Sequence, residues 1–170
     1  MSKREDYYTF NEYMKNNNLT PSEEDYIEMI YRLTLENDKV QVKDISKKLN
    51  IKPPSVTKMI KKLDNKEILN YKRYDNIELT TLGLKVGEKL LSRHNTIREF
   101  LGILGIKNSI HEETETMEHT INVETLLKIE ELINFFHENE DISIYLKYPH
   151  FHENEDILSK LKSYQDKNKN

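Results

Sequence analysis

A mainly α fold with one small β-hairpin is what this sequence predicts, and three observations predict it. Apolar residues recur at helical spacing through most of the chain, as in Tyr26, Ile27, Ile30 and Leu33. Only four Gly and four Pro occur in 170 residues, too few for a β-sandwich rich in tight turns. The helical pattern is interrupted once by two short runs, 68–73 and 77–80, that read as strands around Tyr74-Asp75-Asn76. A chain of this length suits one compact unit or two small lobes.

The elements follow in order. Residues 1–18 are polar with Tyr7, Tyr8, Phe10 and Tyr13 interspersed, and they end in Asn16-Asn17-Asn18, so they are expected to form a loosely ordered arm. Thr20 then offers an N-cap, Pro21 a first helical position and Glu23 the closing side of a capping box. That helix is expected to reach Glu36. A short helix over 42–49, with Ile45 and Leu49 inward, is broken at Asn50-Ile51-Lys52. Pro53-Pro54 opens a third helix, about 54–66, with Val56, Ile60 (or Met59) and Leu63 on one face and Ser55, Thr57, Lys58, Lys61 and Lys62 on the other. Two short helices with a tight turn, the second polar and basic outside, form the helix-turn-helix pattern, and the hairpin after it reads as a wing. Thr81 is expected to cap a long helix stopped near Gly105. Further helices are expected over 109–120, over 122–136 with a stripe of Leu126, Ile129, Leu132, Ile133 and Phe136, and over 153–165. The seven residues Phe136–Ile142 recur as Phe151–Ile157, which reads as a local duplication.

Composition excludes several functions. There is no cysteine, so disulfides, thiolate zinc sites, iron–sulfur clusters and cysteine nucleophiles are all ruled out. Neither GxGxxG nor GxxxxGK[ST] occurs. No apolar run approaches the ~18 residues of a membrane span, and the charged N-terminus is followed by no apolar stretch, so a cytoplasmic location and no membrane partner are expected. Net charge is −4, yet residues 40–75 hold ten basic and four acidic residues, a net of +6, leaving 16 basic and 26 acidic residues elsewhere. A basic segment inside an acidic protein is the footprint of phosphate binding, although a solvated lysine-rich surface has the same composition. Pro54, Thr57 and Lys58 are candidates to reach base edges of duplex DNA, with Lys52, Lys61, Lys62, Lys72 and Arg73 nearer the backbone and Ser55 on the same DNA-binding face.

Three segments carry hard metal donors. Asp25 and Glu28 are three apart and share a helix face; Glu115, Glu118 and His119 do the same on a later helix; His94 lies on the long helix between. Oxygen and imidazole donors without sulfur suit Mn²⁺, Fe²⁺ or Zn²⁺ and tilt toward Mn²⁺. Each segment has a plainer reading: Glu28 can pair with Arg32, and 111–119 resembles any solvated acidic helix.

The stretch Thr20–Glu28 resembles the opening of the metal-dependent repressors of the diphtheria-toxin-repressor (DtxR) family, in particular its manganese transport regulator (MntR) branch. The resemblance continues through Pro53-Pro54-Ser55-Val56-Thr57-Lys58-Met59, Leu79-Thr80-Thr81-Leu82-Gly83, Arg93-His94 and Glu115-Thr116-Met117-Glu118-His119, covering roughly 19–137. It implies a winged helix-turn-helix DNA-binding domain over 19–82 and a helical dimerisation and metal-binding domain over 83–140; the expected arm over 1–18 and partly helical tail over 141–170 lie outside it. It implies two Mn²⁺ ions per subunit, with Fe²⁺ or Zn²⁺ as alternatives. Glu115 and Glu118 would bridge the ions, Glu28 and His94 completing one and Asp25 and His119 the other. Iron-sensing relatives carry Met and Cys where this chain has Asp25 and Glu115, and carboxylate in place of sulfur favours the harder ion. The SH3-like third domain of many iron-sensing relatives is not expected here, and His111, His137, His150 and His152 match no ligand position. The expected function is a non-enzymatic, homodimeric repressor of manganese uptake genes, reading a pseudo-palindromic operator. The rivals are a carboxylate-bridged di-metal enzyme and a winged-helix regulator indifferent to metal.

Overall fold

A computed structural model of the chain describes residues 19–72 and 76–139, together with 159, 160, 162–164 and 166. The expected arm, Arg73, His150, His152 and the second copy of the repeat lie outside the described residues. The described chain divides after Arg93 into two compact units.

In the first unit, α1 (Pro21–Glu36) starts at the predicted capping box: the Thr20 hydroxyl accepts the Glu23 N–H, and Glu23 Oε2 accepts the Thr20 N–H at 2.8 Å. Its stripe of Tyr26, Ile27, Ile30 and Leu33 is buried. Helix α2 (Val42–Leu49) ends on Asn50, which takes the left-handed conformation (φ 53°, ψ 42°) that turns the chain into α3 (Pro53–Asn65). Asn is one of the few residues that adopts this conformation readily. Val56, Ile60 and Leu63 point α3 into a core shared with Ile27, Ile30, Ile45 and Leu90. Strands β1 (Leu69–Tyr71) and β2 (Ile77–Leu79) pair antiparallel, Asn70 opposite Glu78, and are shorter than predicted. The loop end of the hairpin ladder is tied to the α1–α2 linker by the Ile77 N–H donating to Val40 O at 2.8 Å and the Val40 N–H donating to the Asn76 side chain at 2.6 Å.

Helix α4 (Thr81–Ile103) crosses the boundary between the units. Its cap is Thr80 rather than the expected Thr81: the Thr80 hydroxyl accepts the Gly83 N–H at 3.1 Å, leaving Thr81 as the first helical residue. Gly105, at φ 84°, closes it as predicted, with the Ile106 N–H bonded back to Leu101 O. The second unit continues with α5 (Ile110–Glu118) and α6 (Val123–Glu138), the latter capped by Asn122 through the Thr125 N–H. Leu126, Ile129, Ile133 and Phe136 are buried as the stripe predicts, while Leu132 is only half-buried. Phe135 is also buried, edge-on to Phe136 and to Tyr164 at 5.5 and 5.2 Å between ring centres. Lys162–Tyr164 are helical, within the span where a last helix is expected.

Candidate metal centre and nucleic-acid interface

Helix α3 exposes what the sequence assigns to DNA. With Val56, Ile60 and Leu63 turned inward, Lys52, Pro54, Ser55, Lys58, Lys61 and Lys62 are exposed, as is Lys72 beyond β1; Thr57 is half-buried and its hydroxyl donates to Pro53 O at 3.0 Å. Lys62 also has an inward partner, Glu23 Oε1 at 3.4 Å, though its side chain keeps 53% of its exposure. An ion pair that open to water holds the ammonium weakly, so Lys62 stays available to a phosphate.

Glu23 is a residue whose full importance the sequence conceals. The capping box is legible; its complete burial is not, nor is the Lys66 ammonium 2.8 Å from its Oε1. Burial pushes the Glu23 carboxyl up, but the Lys66 cation and the Thr20 N–H and hydroxyl more than reverse this and hold it below the usual carboxylate range. The N-terminus of α1 is thereby pinned to the last turn of α3. The neighbouring Glu24 does something different: its Oε2 receives Arg93 Nη2 of α4 at 2.6 Å. Nothing local in the sequence marks a pair 69 residues apart.

Each unit carries its own share of the six expected metal donors. In the first, Asp25 is half-buried and Glu28 buried, and Glu28 Oε1 accepts from Arg32 Nε and Nη2 at 2.9 and 2.6 Å, the plain helical pairing the sequence allows. In the second, α4 and α5 aim four donors at one another. His94 is 4% exposed, and its Nδ1 lies 2.9 Å from Glu118 Oε2 and 3.7 Å from Glu115 Oε1. His119, at the C-cap of α5, has Nε2 3.7 Å from Glu118 Oε1. Exposed His111, outside the expected set, stands 3.6 Å from Glu115 Oε1, one helical turn away. A buried imidazole facing a buried carboxylate, with a second carboxylate and a second imidazole close by and no sulfur, is a donor set that fits a divalent cation.

Residues 18–77 match the family described as iron dependent repressor, N-terminal DNA binding domain, and residues 80–144 match its metal binding and dimerisation domain. The chain is also 41% identical over 129 residues to the HTH-type transcriptional regulator MntR of Bacillus pumilus (strain SAFR-032), an alignment covering 75% of this chain and 90% of that one.

This chain belongs to the iron-dependent repressor family.

The family is one of metal-dependent transcriptional regulators that bind DNA, and the chain carries both its DNA-binding and its metal-binding and dimerisation domains. Solved structures agree. Zinc-bound ScaR is 36% identical, with a TM-score of 0.56, and the match covers 66% of this chain and 53% of that one. The manganese regulator SloR is 30% identical, with a TM-score of 0.59 and coverage of 68% and 55%. The chain thus spans about half the length of the solved structures it matches. Among the described residues no helix is long and apolar enough to cross a membrane.

Proposed function

We propose that this family member is a manganese-responsive, homodimeric repressor of manganese uptake genes, acting in the cytoplasm on a pseudo-palindromic operator. Residues 19–82 would bind DNA, 83–140 would hold the metal and the dimer surface, and 1–18 and 141–170 would be arm and tail. The observation that carries the reading is the sulfur-free donor set, above all the buried facing pair His94 and Glu118. Relatives support it: the curated relative is named MntR, and SloR is titled a manganese regulator.

In this reading Glu115 and Glu118 would serve both ions, with Glu28 and His94 completing the donor set of one and Asp25 and His119 that of the other. Bound Mn²⁺ supplies a positive charge that clustered carboxylates need and tolerates their flexible denticity. Asp25 and Glu28 belong to the DNA-binding part, and Glu115, Glu118 and His119 to the other, so ligation by both sets favours one arrangement of the two recognition helices. A ligand that prefers the DNA-competent state shifts the population toward it. Lys58 and Thr57 would read bases, while Lys52, Lys61, Lys62, Lys72 and Arg73 would contact phosphates.

The test is operator binding by fluorescence anisotropy in saturating Mn²⁺, in saturating Zn²⁺ and in chelator. Mn²⁺ should tighten specific binding by at least tenfold, about 1.4 kcal/mol. Zn²⁺, which favours four ligands and a closed tetrahedron, should reach a lower plateau even where it binds more tightly. Equal affinity in chelator and in Mn²⁺ would overturn the metal switch; equal plateaus for both ions would overturn the manganese assignment alone.

A further inference from the structure

The pair Glu24–Arg93 stands beside two expected ligands without being one. Glu24 precedes Asp25 on α1, and Arg93 precedes His94 on α4. The carboxylate and guanidinium meet at 2.6 Å, with side chains only 13% and 14% exposed. A pair so shielded is screened far less by water and salt than a surface pair.

Its place relative to the packing of the two helices matters as much. Helices α1 and α4 approach closely at Gly87, where an added Cβ would lie 2.5 Å from the Tyr31 Cβ. Around it, Val86 and Leu90 of α4 join the apolar core that holds Ile27 and Ile30 of α1, and such packing is non-directional and sets a crossing angle only loosely. Glu24–Arg93 supplies a second fixed point, seven residues from Tyr31 along α1 and six from Gly87 along α4. At the rise of an α-helix that is a lever arm of about 10 Å. Asp25 and Glu28 both lie on α1 between the two fixed points, and His94 is the next residue of α4.

We propose that Glu24 and Arg93 are positioning residues for the metal site: their ion pair sets the angle of α1 on α4 before any ion arrives and so holds the α1 carboxylates in readiness. The inference rests on the proposed metal reading and deepens it. Metal affinity then includes a preorganisation contribution that neither residue makes by coordination. Once the ion is bound, coordination itself fixes the same angle. The pair therefore governs how much Mn²⁺ is needed, not how tightly the saturated protein holds its operator.

The experiment uses the full chain with Glu24→Gln, Arg93→Gln and the double substitution. Mn²⁺ affinity is measured by calorimetry, operator affinity by anisotropy across a Mn²⁺ titration, and folding by thermal melting in chelator. Each single variant should weaken Mn²⁺ binding by ~10-fold, in the range found for residues that orient metal ligands. The double variant should be no weaker than either single one, because the two residues act as a unit. Operator affinity at saturating Mn²⁺ should match the wild type. Arg93→Lys, which keeps the charge but loses the planar fork, should recover part of the loss and guards against misfolding of Arg93→Gln.

A purely electrostatic influence predicts otherwise: Glu24→Gln would weaken Mn²⁺ binding, but Arg93→Gln, by removing a cation, would tighten it. That opposite pair of signs overturns the proposal. So do unchanged Mn²⁺ affinities, and so does a lowered plateau with an unmoved midpoint, which marks a structural role in the DNA-binding part. If the wild type itself shows no Mn²⁺ response, the metal reading fails and the pair's role falls with it. A responsive wild type with indifferent variants sinks the positioning role alone.

Discussion

Of the three carboxylates buried among the described residues, two are buried in opposite ways. Glu23 in the first unit and Glu118 in the second are 0% and 2% exposed. Glu23 is met by the Thr20 N–H and hydroxyl on one oxygen and by the permanent cation of Lys66 on the other. Glu118 is met by imidazoles, His94 at 2.9 Å and His119 at 3.7 Å. An imidazole carries full charge only when protonated and otherwise is a metal ligand. Glu23 is satisfied by the fold itself, and its function is to join helices. Glu118 is held among partners that a cation can share. Buried acids are costly in either case, so their surroundings separate the one the fold itself satisfies from the one proposed to bind metal.

Predictions that break or sharpen this contrast differ in size. The largest effect belongs to the apolar core around the Glu23 side of the molecule. Ile60, 0% exposed, packs α3 into the first unit, and Ile60→Ala should lower stability by about 2–5 kcal/mol in urea unfolding. A cost below ~1 kcal/mol would mean α3 is not seated as described.

Next come the two carboxylates themselves, compared in chelator. Glu23→Ala removes a cap and strands Lys66, and should cost roughly 1–3 kcal/mol. Glu118→Gln keeps shape and hydrogen-bonding capacity opposite the His94 imidazole, and should stay within about 1 kcal/mol of the wild type. Addition of Mn²⁺ then separates them the other way. At 100-fold excess over its Kd the ion should stabilise wild type and Glu23→Ala by about 2.7 kcal/mol, and Glu118→Gln by far less. Equal metal-free costs for both substitutions would erase the distinction.

Acid sharpens it further. The folded pKa of Glu23 lies below its ordinary value, so its stabilising contribution is complete above the usual carboxylate range and is lost as pH falls through the lowered folded value. In chelator, the stability gap between wild type and Glu23→Gln should be widest near neutrality and close in acid. A gap that widens on acidification would contradict the assigned direction.

The smallest effects lie on the DNA face. Lys62→Ala should weaken binding to all duplexes alike and reduce the salt slope by about 1, while Lys58→Ala should relax sequence preference. An unaltered preference after Lys58→Ala would remove α3 as the reading helix.

Much of this was legible in the sequence because the interactions that carry it are local. The α1 stripe, the Thr20–Glu23 capping box, the inward face of α3 and the Gly105 stop all depend on residues within one or two turns. The one cap misplaced, Thr81 for Thr80, reflects two adjacent threonines of equal capping chemistry. Phe135 escaped because it lies off the simplest stripe and is covered by Tyr164, far along the chain. The expected donors of the second unit were visible through the three- and four-residue spacing of α5, but the face His94 shows to Glu118 depends on how α4 meets α5. The ion pairs Glu23–Lys66 and Glu24–Arg93 left no local trace: charged residues are common on helices, and only tertiary packing selects which ones meet.

The central claim is that donors from both units serve the same ions, and manganese stoichiometry tests it most directly. Bound Mn²⁺ per chain should be counted by electron paramagnetic resonance for wild type, Asp25→Ala, Glu28→Ala and Glu118→Ala. The account predicts two ions for the wild type, weakening of a single ion by at least ~10-fold when either Asp25 or Glu28 is removed, and loss of both ions when Glu118, proposed to serve both, is removed. Asp25→Ala and Glu28→Ala proteins that bind Mn²⁺ with wild-type stoichiometry and affinity would contradict it.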